Sequence, residues 1–143
     1  EDLHPDLEPI ARAFLAECER QSIEVLITCT YRSATEQAEL YAQGRTKPGR
    51  VVTWAEPGES RHNRIGPDGK PSSEAFDVVP LRNGKLIWGT SGNGIDDDPT
   101  DEQTDDLELW QRVGQIGELL GLSWAGRWRK PKTEYPHFQM KDG

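Results

Sequence analysis

The sequence predicts an α+β fold in which about three helices pack with a small antiparallel sheet. Apolar stripes with helical spacing lie near both ends of the 143-residue chain, and β-branched alternation with a hairpin signal lies between them. Because this length is typical of one domain, we expect residues 1–143 to form a single domain with one core.

The first helix is predicted from about Asp6 to Gln21, with Asp6 as its N-cap. Pro9 fits in the first turn because its missing N–H would have no helical partner there. The apolar residues that recur every three or four positions are Leu3, Leu7, Ile10, Ala11, Phe14, Leu15 and Cys18.

A strand and a short helix follow. Residues 23–31 alternate β-branched and polar side chains, which predicts a strand. Ser33 and Glu36 form a capping-box pattern, so a helix is expected to begin there and to end at Gly44. Residues 45–73 are rich in Gly, Pro and charge and predict a long functional loop, with a short extended piece at 51–54.

The second half of the chain predicts a hairpin and a third helix. Extended segments at 75–81 and 85–88 flank Asn83-Gly84, the favoured pair for a tight turn. Residues 89–106 predict another loop, and an amphipathic helix is expected from Leu107 to Leu120, closed by Gly121. The tail is expected to contain short extended pieces anchored by Trp124, Trp128 and Phe138.

Composition excludes several classes of protein. The net charge of −8 argues against nucleic acid as a partner, and the absence of 18 consecutive apolar residues argues against membrane insertion. No secretory signal is visible, but the chain begins at Glu1, so a removed signal or wall-binding domain stays open. Cys18 and Cys29 match no zinc spacing and are interpreted as small buried apolar residues, their disulfide state being open.

Three residues suggest a metal site. Asp77 lies within a hydrophobic strand pattern, where an unpaired carboxylate is costly to bury unless a metal or a cation accompanies it. His62 follows a glycine-containing loop and His137 begins the last strand pattern. Two imidazoles and one carboxylate are a common ligand set for catalytic zinc, which keeps a fourth position open for water.

The motifs around these residues resemble the VanY-type zinc peptidases, which include D-alanyl-D-alanine carboxypeptidases and L-alanyl-D-glutamate endopeptidases of phage endolysins. The similarity spans residues 31–139 in the family's order and is greatest to the L-alanyl-D-glutamate branch. The motif residues are Tyr31-Arg32-Ser33, Glu36-Gln37, Leu40-Tyr41-Ala42-Gln43-Gly44-Arg45, Val52-Thr53-Trp54-Ala55, Ser60, His62, Ala75, Asp77, and Glu134-Tyr135-Pro136-His137.

The sequence departs from the family's pattern at three places. His62 and Asp77 are fifteen residues apart rather than seven, which we interpret as an eight-residue surface insertion around residues 64–71. Ser73 stands where the motif has glycine, and the acid is Glu134 where endolysin relatives often carry Asp.

The resemblance implies that one zinc ion is bound by His62, Asp77 and His137. It further implies that Glu134 is the general base, which takes a proton from the zinc-bound water and passes it to the leaving amine. Arg32 is expected to bind an oxyanion or a substrate carboxylate, and Ser60 to contact either the substrate or a metal ligand.

Several residues also have ordinary structural interpretations. His4 lies outside every motif and is expected to be an ordinary surface histidine. Arg32 could instead pair with Glu36, and Trp124 and Trp128 are expected to pack rather than stack on sugars. The acidic run at 96–106 is interpreted as a solvated loop rather than a calcium site, because its spacing does not match the calcium-binding loop.

The expected function is zinc-dependent cleavage of peptidoglycan stem peptides at the L-alanyl-D-glutamate bond by a monomeric, endolysin-like enzyme. The alternatives are a D-alanyl-D-alanine carboxypeptidase or dipeptidase, and an inactive, metal-retaining wall-binding module. From the resemblance we expect synthesis in the bacterial host's cytoplasm, followed by access to the cell wall after the membrane opens.

Overall fold

The computed structural model describes residues 2–49, 51–82, 84–87, 103–129 and 132–141, without the side chains of 103–106. Three α-helices and a five-stranded antiparallel sheet confirm the predicted α+β class. The helices are α1 (Glu8–Arg20), α2 (Ala34–Ala42) and α3 (Gln103–Leu119). The strands are β1 (Glu24–Cys29), β2 (Ala75–Arg82), β3 (Lys85–Leu86), β4 (Leu122–Trp124) and β5 (His137–Met140).

The sheet places three chemically important residues in one row. Its strand order is β1-β2-β5-β4, with β3 paired to the far end of β2. Cys29 lies opposite Asp77, and Asp77 lies opposite His137. Since directly opposed residues of neighbouring strands point to the same side of a sheet, these three side chains share one face.

One apolar cluster holds the helices against the sheet. Phe14 of α1 packs against Phe76 and Phe138, with ring centroids 5.5 and 5.1 Å apart. Helix α3 covers the same strands from its own apolar face. The fully buried members of the cluster include Leu7, Phe14, Cys18, Phe76, Val78, Val113 and Phe138.

The start of α1 differs from the prediction. The N-cap is Leu7, whose side chain makes no capping bond, and not Asp6. The His4 carbonyl accepts hydrogen bonds from the N–H groups of Leu7 and Glu8, so a turn precedes the helix and leaves Asp6 outside the cap position. Pro9 lies in the first turn, as predicted.

The start of α3 was also predicted wrongly, because the helix begins at Gln103 rather than Leu107. Acidic residues are favoured near helix N-termini, so the sequence over 103–106 is compatible with helix as well as with loop. Residues 89–102 of the predicted loop, which include most of the acidic run interpreted as solvated, and the turn residue Asn83 lie outside the described residues. Among the helices that are described, none is long and apolar enough to cross a bilayer.

Two glycines of α3 let the helix approach the aromatic side chains of the sheet. A Cβ atom at Gly117 would lie 2.4 Å from the Phe138 ring, and one at Gly114 would lie 2.3 Å from the Trp124 ring. These contacts are far shorter than van der Waals distances, so α3 packs this closely only because both positions lack a side chain.

We therefore expect Gly117→Ala to destabilise the protein by about 1–3 kcal/mol, although alanine favours helix by about 1 kcal/mol. Urea unfolding of the two proteins measures the difference. Leu119→Ala is the matched control on the same helix: Leu119 is 83% exposed, and its truncation should change the free energy of unfolding by less than about 0.5 kcal/mol. Equal stability of Gly117→Ala and the unsubstituted protein would contradict the close approach.

Candidate active site

Three side-chain acceptor atoms converge on one point beside the sheet. His62 Nε2 lies 3.0 Å from Asp77 Oδ1 and 3.2 Å from His137 Nδ1. His137 Nδ1 lies 3.1 Å from the same Asp77 oxygen. The three atoms thus form a nearly equilateral triangle, and the two histidines are almost fully buried.

The outer nitrogen of each imidazole is engaged by an acceptor. His62 Nδ1 lies 2.7 Å from the Thr30 carbonyl, which can only accept, so this nitrogen carries a proton. His137 Nε2 lies 2.9 Å from Gln139 Oε1 and donates to it in the same way. In the neutral imidazoles the inner nitrogens therefore carry lone pairs, and three electron-rich atoms face one another.

Such a cluster requires a cation, either a proton or a metal ion. Burial opposes protonation of His62, but the hydrogen bonds and charge attraction that Asp77 and Cys29 supply together outweigh burial and raise its pKa to about 10 in the metal-free protein. Burial likewise opposes ionisation of Asp77, but hydrogen bonds from His137 and His62 hold its pKa well below the ordinary value. The metal-free site therefore retains a proton that a bound metal would displace.

His62 is positioned by a short 3₁₀ turn at Arg61–Asn63 that Ser60 caps. The Ser60 hydroxyl accepts a hydrogen bond from the His62 N–H at 3.2 Å, and Asn63 Oδ1 accepts one from the Ser60 N–H. The Asn63 side chain also donates to the Arg32 carbonyl at 2.7 Å. Ser60 therefore supports the backbone of a candidate metal ligand, one of the two roles left open by the sequence.

The insertion between His62 and Asp77 folds as a surface hairpin. Ile65 bridges Pro71, and the Gly66 N–H donates to the Lys70 carbonyl. Ser73, which replaces the family's glycine, is fully buried, and its hydroxyl lies 2.7 Å from the Thr30 carbonyl. Because the His62 ring also bonds the Thr30 carbonyl, the chain returns to the sheet beside His62, and the insertion leaves the cluster intact.

Arg32 lies next to the cluster and is held by residues other than Glu36. Its Nη1 donates to Gln37 Oε1 at 2.9 Å, and its Nη2 lies 3.8 Å from Asp77 Oδ2. The Arg32 N–H also donates to the His62 carbonyl at 2.9 Å. The guanidinium is thus fixed beside the Asp77 carboxylate. Its salt bridge is to Asp77 rather than to Glu36.

Glu134 faces the same cleft, three residues before His137. Burial raises the pKa of its carboxyl group, and positive charge at His137 opposes this rise. The cleft has a volume of about 590 Å³. The sequence-predicted residues that line it are Arg32, Ser60, His62, Asp77, Glu134 and His137.

The triangle fits zinc. Ligand atoms bound tetrahedrally to zinc at about 2.0–2.1 Å are about 3.3 Å apart, close to the separations in the cluster. A second donor set, Cys29 with His62 and Asp77, also lies within 4.8 Å. It fits a cation less well, because Cys29 Sγ faces the engaged Nδ1 of His62 and lies 3.5 Å from the Arg32 guanidinium.

Sequence reasoning missed several supporting residues. Gln37 is fully buried and joins Arg32 to the loop at 53–55, while Gln139 orients His137. Gln37 belongs to the Glu36-Gln37 motif of the resemblance, but its hydrogen-bond partners could not be inferred from sequence spacing. Cys29 is half-buried beside Arg32 and His62, so its interpretation as a buried apolar residue was wrong, whereas Cys18 is fully buried as expected.

A buried two-histidine, one-carboxylate cluster, with a glutamate and an arginine in an open cleft, defines the class of hydrolytic metal sites. Comparison with known proteins agrees with this class. Two family models, both described as D-alanyl-D-alanine carboxypeptidase, match the chain. The VanY model matches residues 1–71, and the second model matches residues 72–140. The chain is 37% identical over 140 residues to the peptidoglycan L-alanyl-D-glutamate endopeptidase CwlK of Bacillus subtilis, covering 97% of this chain and 74% of CwlK.

The chain belongs to the VanY-type peptidase family, a family of peptidoglycan peptidases of the zinc type. Its fold resembles that of the L-Ala D-Glu endopeptidase ChiX of Serratia marcescens, with TM-score 0.60, 19% identity, and coverage of 97% of this chain and 80% of ChiX. It also resembles a variant of the vancomycin-resistance D,D-pentapeptidase VanY in complex with Zn(II), with TM-score 0.57 and 13% identity. The match covers 96% of this chain and 72% of that VanY chain.

The metal-free site makes a testable prediction for pH. In chelator-treated protein we expect the His62 imidazole to titrate near pH 10 rather than near its ordinary 6.5. Because this pKa is raised on folding, the pairing stabilises the metal-free fold fully below about pH 6.5, and the stabilisation is lost as the pH rises towards 10.

Imidazole NMR resonances followed through a pH titration measure this pKa. In Asp77→Asn, burial acts without the compensating carboxylate, so the midpoint for His62 should fall by several units. A midpoint at or below 6.5 in the unsubstituted, metal-free protein would contradict the convergence of the three acceptors.

Proposed function

We propose that the chain hydrolyses the L-alanyl-D-glutamate bond of peptidoglycan stem peptides, using one zinc ion bound by His62, Asp77 and His137. The observation that carries the proposal is the triangle of three acceptor atoms at 3.0–3.2 Å in an open cleft. The identity to CwlK supports the choice of scissile bond. When bound, zinc supplies Lewis-acid chemistry and makes hydroxide available near neutral pH.

Glu134 is the general base in this proposal. It lines the cleft three residues before His137, and the His137 N–H donates to the Glu134 carbonyl, so one short turn carries both residues. Burial raises its pKa, which favours its taking a proton from the attacking water and delivering that proton to the leaving amine.

Arg32 binds negative charge on the substrate. Its side chain is only 17% exposed and is held by Gln37 and Asp77, so little conformational entropy is lost when it engages a carboxylate or an oxyanion. Ser60 acts indirectly, by capping the turn that carries His62.

A D-alanyl-D-alanine carboxypeptidase is the second candidate, because both matching family models carry that description. The same metal and base would serve either bond, and the walls of the cleft decide between them. A catalytically inactive wall-binding module is the third candidate. Analysis of the products separates the first two, and turnover separates both from the third.

We further propose that the physiological role is endolysin-like lysis of the cell wall by a monomer that is made in the host cytoplasm and reaches the wall after the membrane opens. The motif similarity to the endolysin branch supports this role. Turbidity of a bacterial suspension tests it, since addition of the protein from outside should clear cells whose outer layers have been made permeable.

Substitution of Glu134 tests the mechanism. We expect Glu134→Gln to lower kcat by about 10²-fold or more, because the general base is lost, while zinc content stays at one ion per chain. Glu59→Gln is the matched control. Glu59 lines the same cleft, but its carboxylate accepts a hydrogen bond from the Glu56 N–H, so the kcat of this variant should stay within a few-fold of that of the unsubstituted protein.

Mass spectrometry of a muropeptide digest identifies the bond. New N-terminal D-glutamate supports the L-alanyl-D-glutamate assignment, and released D-alanine would instead support the carboxypeptidase. Full activity of Glu134→Gln, or activity that survives complete chelation, would contradict the mechanism.

A further inference from the structure

The loop at 51–55 forms one wall of the cleft, and one side of it is attached to α2 and to Arg45. Arg45 Nη2 donates to the Thr53 carbonyl at 3.1 Å, and Gln37 Nε2 donates to the Ala55 carbonyl at 2.7 Å. The Gln37 amide also donates to Thr53 Oγ1, and the Ala55 N–H donates to the same hydroxyl. Alternate residues are therefore fastened to α2 and to the arginine that follows it.

The intervening residues leave the opposite edge of this segment open. Residues 51–55 contain no turn or bend. In such an extended chain the backbone groups of successive residues point to opposite sides, so with the Thr53 and Ala55 carbonyls bonded towards α2 we infer that those of Val52 and Trp54 lie on the other side. Within the described part of the chain, no group hydrogen-bonds the backbone N–H or C=O of either residue. Their side chains are also exposed, Val52 by 47% and Trp54 by 42%.

This open edge is continuous with the candidate active site. Val52, Thr53 and Ala55 line the same cleft as the metal-binding cluster and Glu134. Arg45 holds the segment rigidly, since its guanidinium also donates to the Tyr41 carbonyl and lies 3.7 Å from the centre of the Tyr41 ring. A rigid edge with unpaired backbone groups is the template that extended peptides use when they add to a protein as a further strand.

We propose that the backbone of Val52 and Trp54 binds the main chain of the stem peptide by strand addition. This inference rests on the proposed function, because it takes the occupant of the cleft to be the peptide that is cut. These hydrogen bonds join main-chain groups and do not depend on the side chains of the substrate. They position the peptide bonds of the substrate next to the metal-binding cluster, and the exposed Val52 side chain supplies apolar contact beside them.

Hydrogen exchange of backbone amides tests the proposal directly. The sample is zinc-loaded Glu134→Gln protein, with and without an N-acetylmuramyl tetrapeptide, so that the peptide is bound but not consumed. We expect exchange at the Val52 and Trp54 amides to slow about tenfold or more on binding, whereas exchange at the amide of Leu26, an exposed residue of β1 outside the cleft, should be unchanged.

A kinetic comparison adds a second readout. Val52→Pro removes the N–H and should raise KM about fivefold with kcat within about twofold, while Val52→Ala keeps the N–H and should change KM less. Equal KM values for the two variants would contradict the proposal. Thermal unfolding checks that both variants are folded, and the exchange measurement needs neither of them.

The outcomes distinguish this inference from the proposed function. If the unsubstituted protein cleaves the muropeptide but the two amides stay unprotected, strand addition is wrong and the function stands. Protection without any cleavage would support strand addition and overturn the function. Protection that rises with protein concentration in the absence of peptide would assign the edge to a second copy of the chain and overturn the inference.

Discussion

Three acceptor atoms face one another beside two buried imidazoles, and the site is stable only when a cation lies among them. His62 Nε2, Asp77 Oδ1 and His137 Nδ1 are 3.0–3.2 Å apart, and the outer nitrogens of both imidazoles are already engaged as donors. Unpaired, such a cluster would cost several kcal/mol through desolvation and repulsion. A proton meets the requirement in the metal-free protein, and a divalent ion meets it with chemistry that can cut an amide bond.

The architecture around this cluster brings together segments that are distant in the sequence. Strands β2 and β5 supply Asp77 and His137 as direct neighbours, and the capped turn at Arg61–Asn63 carries His62 over them. The core is small, and aromatic side chains make much of it, with α3 packed closely through its glycines. A metal ion that joins the long loop to the sheet would add stability that so small a core supplies only in part.

Much of the fold and the site could be predicted from the sequence. Helical spacing and β alternation are local signals, so α1, α2 and β1 were predicted to within a few residues, and all six site residues that the ordered motifs indicated line the cleft. The helix ends were less predictable: Leu7 caps α1 because a turn at His4 precedes it, and the acidic start of α3 is compatible with loop or helix. Gln37, Gln139 and the Thr30 carbonyl could not be assigned roles, because their partners lie across the fold and no spacing rule connects them.

Anomalous diffraction from crystals of the zinc-loaded protein, recorded on both sides of the zinc absorption edge, tests the central requirement most directly. We predict one strong peak within bonding distance of His62 Nε2, Asp77 Oδ1 and His137 Nδ1, at about one ion per chain. A peak beside Cys29 instead, or no peak at the three acceptors in crystals of protein shown to be zinc-loaded, would contradict the assignment of this cluster as the metal site.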